Sequence, residues 1–151
     1  MQVSAKIEYA VRALVQLAAE GGGPVKGEKL AEAQQIPPKF LESILAQLRH
    51  DGLLTSRRGG DGGYWLARPA TEITVADVMR ATEGPLARVR GLPPETVYYQ
   101  GAAARLSEVW IAVRASLRDV LEQVTLADLV AGRLPETVTD LIADPEARVP
   151  H

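Results

Sequence analysis

Residues 53–67 read Leu53-Leu54-Thr55-Ser56-Arg57-Arg58-Gly59-Gly60-Asp61-Gly62-Gly63-Tyr64-Trp65-Leu66-Ala67, and this stretch decides the fold. Two short apolar runs flank a tip that carries two arginines and four glycines. Apolar runs separated by a few glycine-rich residues predict a β-hairpin. Glycine tolerates positive φ angles and allows a second backbone to come close. The sequence therefore predicts an exposed hairpin with a small, flexible tip and two positive charges at its base.

Three interpretations of this hairpin are open. It is a DNA-binding wing, an ordinary surface hairpin whose arginines only aid solubility, or a loop that cradles phosphate groups. A wing places an arginine in the minor groove of DNA, where narrow A·T tracts concentrate negative potential. The phosphate loop is disfavoured because the spacing matches no nucleotide-binding glycine motif, and Tyr64-Trp65-Leu66 continues as a strand instead of opening a helix. The segment upstream decides between the other two.

The residues before the hairpin predict three helices. Ser4 is a suitable N-cap for a first helix over residues 5–20, which a Gly-Gly-Gly-Pro run ends. Residues 26–34 predict a short second helix, and a turn follows it. Pro38 suits the first position of a third helix over residues 38–50, because the N–H that proline lacks would have no partner there. Apolar residues recur on one side of this third helix, at Phe40, Leu41, Ile44, Leu45 and Leu48.

The other face of the third helix carries polar side chains of the types that contact base edges. Glu42 can accept a hydrogen bond from cytosine N4, Ser43 can donate or accept, and Lys39 can bind guanine or a phosphate. For an isolated helix, a plain solvated surface would be the simpler interpretation. However, two helices joined by a turn and followed by a hairpin are typical of a winged helix-turn-helix, whose last helix enters the major groove. The predicted DNA contacts are Lys39, Glu42, Ser43, Gln47, Arg57, Arg58, Gly59 and Gly60.

Further helices are predicted after the hairpin. Thr74-Val75-Ala76-Asp77 resembles a capping box, and the helix that it begins ends at Glu83 before a Gly-Pro pair. Residues 85–95 are predicted as a connector. A long helix is then predicted from about Glu95 to Val124, and its apolar residues alternate four- and three-residue steps, as in a coiled coil. The residues of this seam are Leu106, Trp110, Val113, Leu117, Val120 and Val124.

The length of this last helix favours dimerisation over packing within one chain. About 30 residues at ~1.5 Å each span roughly 45 Å, which is more than so small a head can cover. Thr125 caps a short further helix that Gly132 closes. The predicted fold class is therefore mainly α with an α+β wing. The predicted domains are a winged helix-turn-helix head over residues 1–84, the connector 85–95, the dimerisation helix with its short following helix over 96–132, and a polar tail over 133–151.

The composition is that of an ordinary globular chain. It has 151 residues, 46% of them hydrophobic and 24% charged, with a formal net charge of −2. Residues 1–84 contain ten basic and ten acidic residues, so DNA binding would depend on the local placement of charge. The absence of cysteine excludes disulfides, thiol catalysis and thiolate metal ligands. We find no apolar run of membrane-spanning length and no secretory leader, so the expected location is the cytoplasm, without a membrane partner.

The chain resembles the Rrf-two (Rrf2) family of bacterial transcription regulators, the IscR/NsrR type. The resemblance covers residues 1–86 strongly and extends by helix pattern to about residue 132. It implies a homodimer that binds a pseudo-palindromic operator on double-stranded DNA, with the third helix in the major groove. Arg58 occupies the position of the family's wing arginine, and Glu42 matches a position that some members use to contact bases. The matching segments are residues 9–14, 40–45, 58–67 and 73–78.

The chain departs from this family at the iron–sulfur site. The resemblance implies that members with a cluster bind it through cysteines in the connector, and residues 84–105 contain none. Glu8 falls where some members supply a carboxylate ligand, but Arg12 stands where a histidine would be wanted. The two histidines are His50 and His151, outside the connector. Because such a cluster needs thiolates, we expect neither a cluster nor another cofactor or metal site.

A regulator needs a switch, and the predicted place for one is the cleft between the winged head and the long helix. Cationic and aromatic groups there would suit a small anionic or aromatic effector. Two simpler interpretations remain open, namely that Glu8 and Arg12 form an ion pair within one helix and that Trp110 belongs to the core. The candidate ligand residues are Glu8, Arg12, Arg88, Arg90, Tyr98 and Tyr99, with Trp110 beside them.

Two classes of function therefore compete. The favoured one is a homodimeric, sequence-specific DNA-binding regulator, expected to be a repressor. The alternative is a winged-helix dimer that binds proteins and no longer binds DNA, which the neutral charge of the head would permit. An enzyme is not expected, since the chain has no cysteine, its histidines are poorly placed and no carboxylate pair stands beside a nucleophile.

Overall fold

The computed structural model describes residues 2–150 as seven α-helices and one two-stranded sheet. Among these residues, no helix is both long enough and apolar enough to span a membrane. In chain order the elements are α1 (Ala5–Ala19), α2 (Gly27–Gln34), α3 (Pro38–His50), β1 (Leu54–Arg57), β2 (Gly63–Leu66), α4 (Val75–Glu83), α5 (Leu106–Leu121), α6 (Leu126–Ala131) and α7 (Glu136–Ala143).

The main core is built around α1. The Ser4 hydroxyl caps this helix by accepting a hydrogen bond from the Ile7 amide at 3.2 Å. Small residues on the buried face, Ala10 and Ala13, let α2 and α3 come close. Each fully buried leucine contributes about 1.5–3 kcal/mol, so this packing determines how α3 is rotated and which of its faces remains outside. The fully buried leucines and isoleucines of this core are Leu14, Leu30, Leu41, Ile44, Leu45, Leu48, Ile73 and Leu126.

A second, smaller core joins the head to α5. It consists of Ile7 on α1, Ala76 and Met79 on α4, and Leu86 after α4, with Leu121 of α5 packed against it. This patch is the apolar contact through which α5 is held on the head. Ion pairs reinforce it, since the Arg80 guanidinium donates to the carboxylate of Glu122, next to the end of α5.

The two strands pair antiparallel in the register Leu54–Leu66 to Arg57–Gly63. A third segment extends this small sheet, because Val25 forms an isolated bridge with Tyr64. Both backbone hydrogen bonds of that bridge are 2.8 Å long. The hairpin is therefore attached to the chain just before α2 as well as to the chain just after α3.

Two helices far apart in sequence begin with the same capping box. The Thr74 and Asp77 side chains cap α4, and the Thr125 and Asp128 side chains cap α6 in the same way. The two threonines face each other in an antiparallel bridge, flanked by two backbone hydrogen bonds of 2.9 Å. This bridge holds α6 beside α4, with the fully buried Leu126 in the main core.

The prediction of one long helix from about Glu95 to Val124 is wrong. The helix α5 has 16 residues, which is about 24 Å, and it begins at Leu106. Short 3₁₀ turns at Pro94–Thr96 and Gly101–Ala103 occupy the predicted first part. The adjacent prolines at 93 and 94 do not continue a helix, and Gly101 adopts a φ of +60°, which ends helical geometry.

The polar tail includes a helix that the sequence analysis did not assign. It contains α7, followed by a 3₁₀ turn at Pro145–Arg148. The Thr137 hydroxyl donates to the Gln123 side chain at 2.6 Å and connects α7 to the end of α5. Leu141 and Ile142, the apolar pair of the tail, are exposed on this helix.

Candidate nucleic-acid interface

The outer face of α3 is exposed as the sequence predicted. Lys39, Glu42 and Ser43 lie on the solvent side of a helix whose opposite face is buried in the main core. The Ser43 hydroxyl donates to the Phe40 carbonyl at 2.8 Å, which leaves its oxygen free to accept a further hydrogen bond. The first two turns of α3 therefore present a cation, a carboxylate and a hydroxyl to an approaching ligand.

Phe40 does not belong to the buried stripe in which the sequence placed it. Its side chain is 38% exposed and packs edge-on against Tyr9 of α1, with ring centroids 5.6 Å apart. The first turn of α3 lies at the edge of the core, where only part of a large ring can be covered. Phe40 thus anchors the start of α3 to α1.

Gln47 occupies a different position from the one predicted for a base contact. Its side-chain amide donates to the Ala81 carbonyl at 2.6 Å and to the Thr82 carbonyl at 3.2 Å. These carbonyls belong to the last turn of α4, where helical partners are missing. Gln47 connects α3 to α4, and the rotation of α3 turns it away from the exposed Glu42.

The tip of the hairpin is a closed turn held by Arg57. The Gly62 amide donates to the Gly59 carbonyl at 3.1 Å, and the Arg57 guanidinium donates to the Asp61 carbonyl at 3.0 Å. A Cβ at Gly62 would lie 2.0 Å from the Arg57 carbonyl oxygen, so only glycine fits there. Arg58 is exposed and has neither a hydrogen bond nor an ion pair with any residue in 2–150. The two arginines therefore differ, since Arg57 braces the tip and Arg58 is available.

The start of α2 supplies contacts to the hairpin that the sequence analysis missed. The Lys26 ammonium group donates to the Gly59 carbonyl at the tip. At Gly63 a Cβ would lie 2.6 Å from the Val25 carbonyl oxygen, so the two backbones touch. A glycine within a strand is a known sign of such close approach, and Gly63 was the residue that could have indicated the third segment. Through these contacts the hairpin is held in a fixed orientation relative to α2.

These elements enclose one concave surface. It is a groove of about 370 Å³ between the start of α2, the first turns of α3 and the hairpin. Four cationic side chains line it against two acidic ones, although the head as a whole is neutral. Gly60 lies at the tip, with open space around it. The charged lining residues are Lys26, Glu28, Lys39, Glu42, Arg57 and Arg58.

The six predicted ligand residues do not converge. Arg12 pairs with Glu8 at 3.4 Å, donates to the Gln34 carbonyl and lies over the Tyr9 ring, all on the α2 side of α1. The simpler interpretation of Glu8 and Arg12 as an ion pair within one helix fits this geometry. In the connector, Arg90 is exposed at a turn with a φ of 52°.

Tyr98 and Tyr99 are also apart from any common site. Tyr98 is 85% exposed, whereas the Tyr99 hydroxyl accepts a hydrogen bond from the Trp110 indole at 3.1 Å. Of the six, only Arg88 lines the cavity between the head and α5, a space of about 390 Å³ that Trp110 also borders. Trp110 is half-buried beside this cavity and is not part of a closed core.

The predicted dimerisation residues divide into two groups. Val124 lies beyond the end of α5 and is buried within the chain, where its carbonyl accepts a hydrogen bond from the Val75 amide. Its side chain is therefore not available for a dimer contact. No residue of α5 is fully buried. The other five lie on that helix, and Val113 is among its exposed apolar residues, as are Val109 and Ile111. They are Leu106, Trp110, Val113, Leu117 and Val120.

Several known proteins resemble the chain. Residues 3–132 match the Rrf2 family, described as an iron-dependent transcriptional regulator. A protein of Mycobacterium tuberculosis strain H37Rv, named as an HTH-type transcriptional regulator, is 54% identical over 98% of this chain and 92% of its own length. The HTH-type transcriptional regulator CymR of Bacillus subtilis is 33% identical over 87% of this chain and 91% of its own length.

Solved structures show the same architecture. The structure of B. subtilis CymR, described as the global cysteine regulator, has a TM-score of 0.73 at 32% identity and covers 87% of this chain and 98% of that one. The structure of T. potens IscR has a TM-score of 0.69 at 33% identity and covers 100% of this chain and 93% of that one. The mainly α fold with a two-stranded wing, predicted from the sequence, is thereby confirmed.

Proposed function

The chain belongs to the Rrf2 family of transcriptional regulators, and from this premise we propose that it binds a pseudo-palindromic operator as a homodimer and acts as a repressor. In this proposal α3 enters the major groove and the hairpin places Arg58 in the adjoining minor groove. Its relatives are named as regulators and not as enzymes, and we assign no catalytic residue.

One observation carries the proposal, which is the groove that unites the start of α3 with the hairpin. Lys39, Glu42 and Arg58 come from two separate segments, yet they border the same exposed concavity. Lys26, just before α2, adds a third segment to this surface by donating a hydrogen bond to the hairpin tip. A rigid, locally cationic groove on a neutral head suits a polyanion that must be read at defined positions.

The proposed homodimer is supported by α5. A helix without a fully buried residue leaves its apolar side chains Val109, Ile111 and Val113 to water unless another surface covers them. A second copy supplies the matching apolar face under two-fold symmetry. A two-fold protein would place its half-sites about 10 bp apart, or a multiple of that distance.

The donor atoms of the chain do not fit an iron–sulfur cluster. The family description names iron, but this chain has no cysteine. The described histidine, His50, is the last residue of α3 and not part of the connector. Among residues 2–150, no group of three histidine, aspartate or glutamate side chains is placed to hold a metal ion. We therefore propose a regulator without a cluster, switched instead by a small effector.

The test is selection of duplex DNA from a random pool by the purified full-length protein. We expect enrichment of a two-fold symmetric sequence whose affinity falls steeply with salt, because phosphate contacts release counterions. A Lys39→Ala variant should weaken binding to all duplexes, and Glu42→Ala should change which base is enriched. Recovery of no sequence above background, with salt-independent binding, would favour the protein-binding dimer.

A further inference from the structure

We propose that the cavity between the head and α5 binds a small apolar carboxylate, and that its occupancy is transmitted to α3 through Gln47. This inference rests on the proposed function, since it gives the proposed effector a place and a chemical class. The cavity borders the second core, and its lining comes from α1, α4, the connector and α5.

The size and lining of the cavity suit the apolar part of such a ligand. Its volume of about 390 Å³ lies within the range of ~300–1,000 Å³ that small-molecule sites have. Most of the side chains around it are hydrocarbon, so burying an apolar group there removes water from both surfaces. The main apolar lining residues are Ile7, Met79, Leu86, Pro94, Trp110 and Leu117.

Arg88 supplies the charge that selects an anion. Its guanidinium lies against Gly84 at the rim of the cavity, where a Cβ on that glycine would be 2.6 Å from it. It has no ion-pair partner among residues 2–150, whereas Arg80, Arg114 and Arg118 nearby are each paired with a glutamate. A guanidinium binds a carboxylate through two parallel hydrogen bonds, which makes a carboxylate the favoured head group.

The same cavity reaches the helix that holds α3. Met79 in the middle of α4, Glu83 at its end and Gly84 just after it line the cavity. On the last turn of α4, the Ala81 and Thr82 carbonyls accept the two hydrogen bonds from Gln47. A ligand that restrains the end of α4 therefore acts on α3 through a direct polar contact. Coupling of this kind requires only that the ligand bind one arrangement of this turn better than another.

A second copy of the chain is the rival occupant. Val113 and Leu117 border the cavity and also belong to the predicted dimer seam. A partner's side chains could fill the space and exclude a ligand. The unpaired Arg88 guanidinium distinguishes the two cases, because the apolar seam of a second copy would give it no partner, whereas a carboxylate ligand would.

The first experiment uses the full-length protein with Trp65→Phe, so that Trp110 is the remaining tryptophan. The probe is 3-phenylpropionate, and its neutral analogue 3-phenylpropan-1-ol is the control. We expect saturable quenching or a shift of Trp110 emission with the carboxylate and at least about tenfold weaker binding of the alcohol. Arg88→Gln should raise the Kd of the carboxylate by at least about tenfold, the scale of one charged hydrogen bond.

Arg90→Gln is the matched control, since it removes an exposed arginine of the same connector that does not line the cavity. It should leave the Kd unchanged. Absence of saturable binding, equal affinity for acid and alcohol, or indifference to Arg88→Gln would each overturn the proposal. Exclusion of the probe from a stable dimer would assign the cavity to the second copy instead.

The second experiment tests the coupling without DNA. Hydrogen exchange of the α3 amides should slow when 3-phenylpropionate binds, and Gln47→Met should abolish this slowing while the Kd measured at Trp110 stays the same. Unchanged exchange in the parent protein, or equal slowing in the variant, would refute transmission through Gln47. Neither Trp110 emission nor hydrogen exchange requires DNA. Failure of the operator selection would therefore overturn the proposed function, whereas the proposal for the cavity would still be decided by these two measurements.

Discussion

Replacing Arg58 with alanine tests the DNA-binding proposal most directly. The Arg58 side chain is exposed and makes no hydrogen bond or ion pair with residues 2–150, so its loss should not change the stability of the fold. An oriented groove contact of one arginine is worth ~1–3 kcal/mol. A two-fold dimer loses two such contacts, which gives at least ~2 kcal/mol, or about thirtyfold in Kd.

The salt dependence gives a second, independent magnitude. Each neutralised phosphate contributes ~0.9 to the slope of log K against log salt, so the loss of two cations should reduce that slope by about 1.8. Fluorescence anisotropy with the selected duplex, measured over a series of salt concentrations, gives both quantities. Arg90→Ala is the control, because it removes the same charge from an exposed site outside the groove. Equal weakening by both variants, or an unchanged slope for Arg58→Ala, would refute the assignment of the wing to DNA.

Three further predictions concern the supports of the groove and of the fold. Gln47→Met should lower the free energy of unfolding by about 1 kcal/mol in urea titrations, because two carbonyls of α4 lose a hydrogen-bond donor. The Kd for DNA, measured without effector, should stay unchanged. Unchanged stability together with weaker DNA binding would show instead that Gln47 contacts DNA. Gly63→Ala should lower the free energy of unfolding by about 1–3 kcal/mol and weaken DNA binding, since its φ of 148° and its contact with the Val25 backbone both disfavour a side chain. Gly60→Ala, whose Cβ would meet nothing, should leave the free energy of unfolding unchanged. Hydrogen bonds from the Thr125 amide and hydroxyl hold the pKa of Asp128 in the folded protein below its ordinary value. The Asp128 carboxylate therefore stabilises the fold fully at pH values above its pKa in the unfolded chain. This stabilisation is lost as the pH falls through the lower pKa of the folded state. Asp128→Asn should therefore flatten the decline of the urea midpoint below about pH 4, and an unaltered decline would disprove the role of this cap.

Local chemistry was sufficient to predict the parts of the groove. Pro38 and the apolar stripe gave the bounds of α3, which the structure reproduces as Pro38–His50. The glycine-rich tip between two apolar runs gave the hairpin. The capping residues Thr74 and Thr125 predicted the starts of α4 and α6. These features depend on neighbours within about one helical turn, and for this reason one sequence was enough.

Contacts between distant segments could not be read in the same way. Gln47 has the helical phase of an outward residue, and only the position of α4 reveals that it is covered. The long helix was likewise predicted to begin at about Glu95, before the first residue of the apolar seam, although Gly101 made that costly. Val124 fitted the seven-residue pattern but follows the end of the helix. Periodicity identifies a face and leaves open what lies against it.

The bridge between Thr74 and Thr125 has a consequence for how this protein is made. Leu126 fills space between α1 and its neighbours, although it is encoded 112 positions after Leu14. Synthesis on a ribosome proceeds from the amino end, so the first hundred residues emerge before Leu126 can fill its place in the main core. The DNA-reading half of the molecule cannot reach its final packing until most of the polypeptide has been translated. A fragment that stops at residue 84 would keep a cavity where Leu126 packs in the full chain.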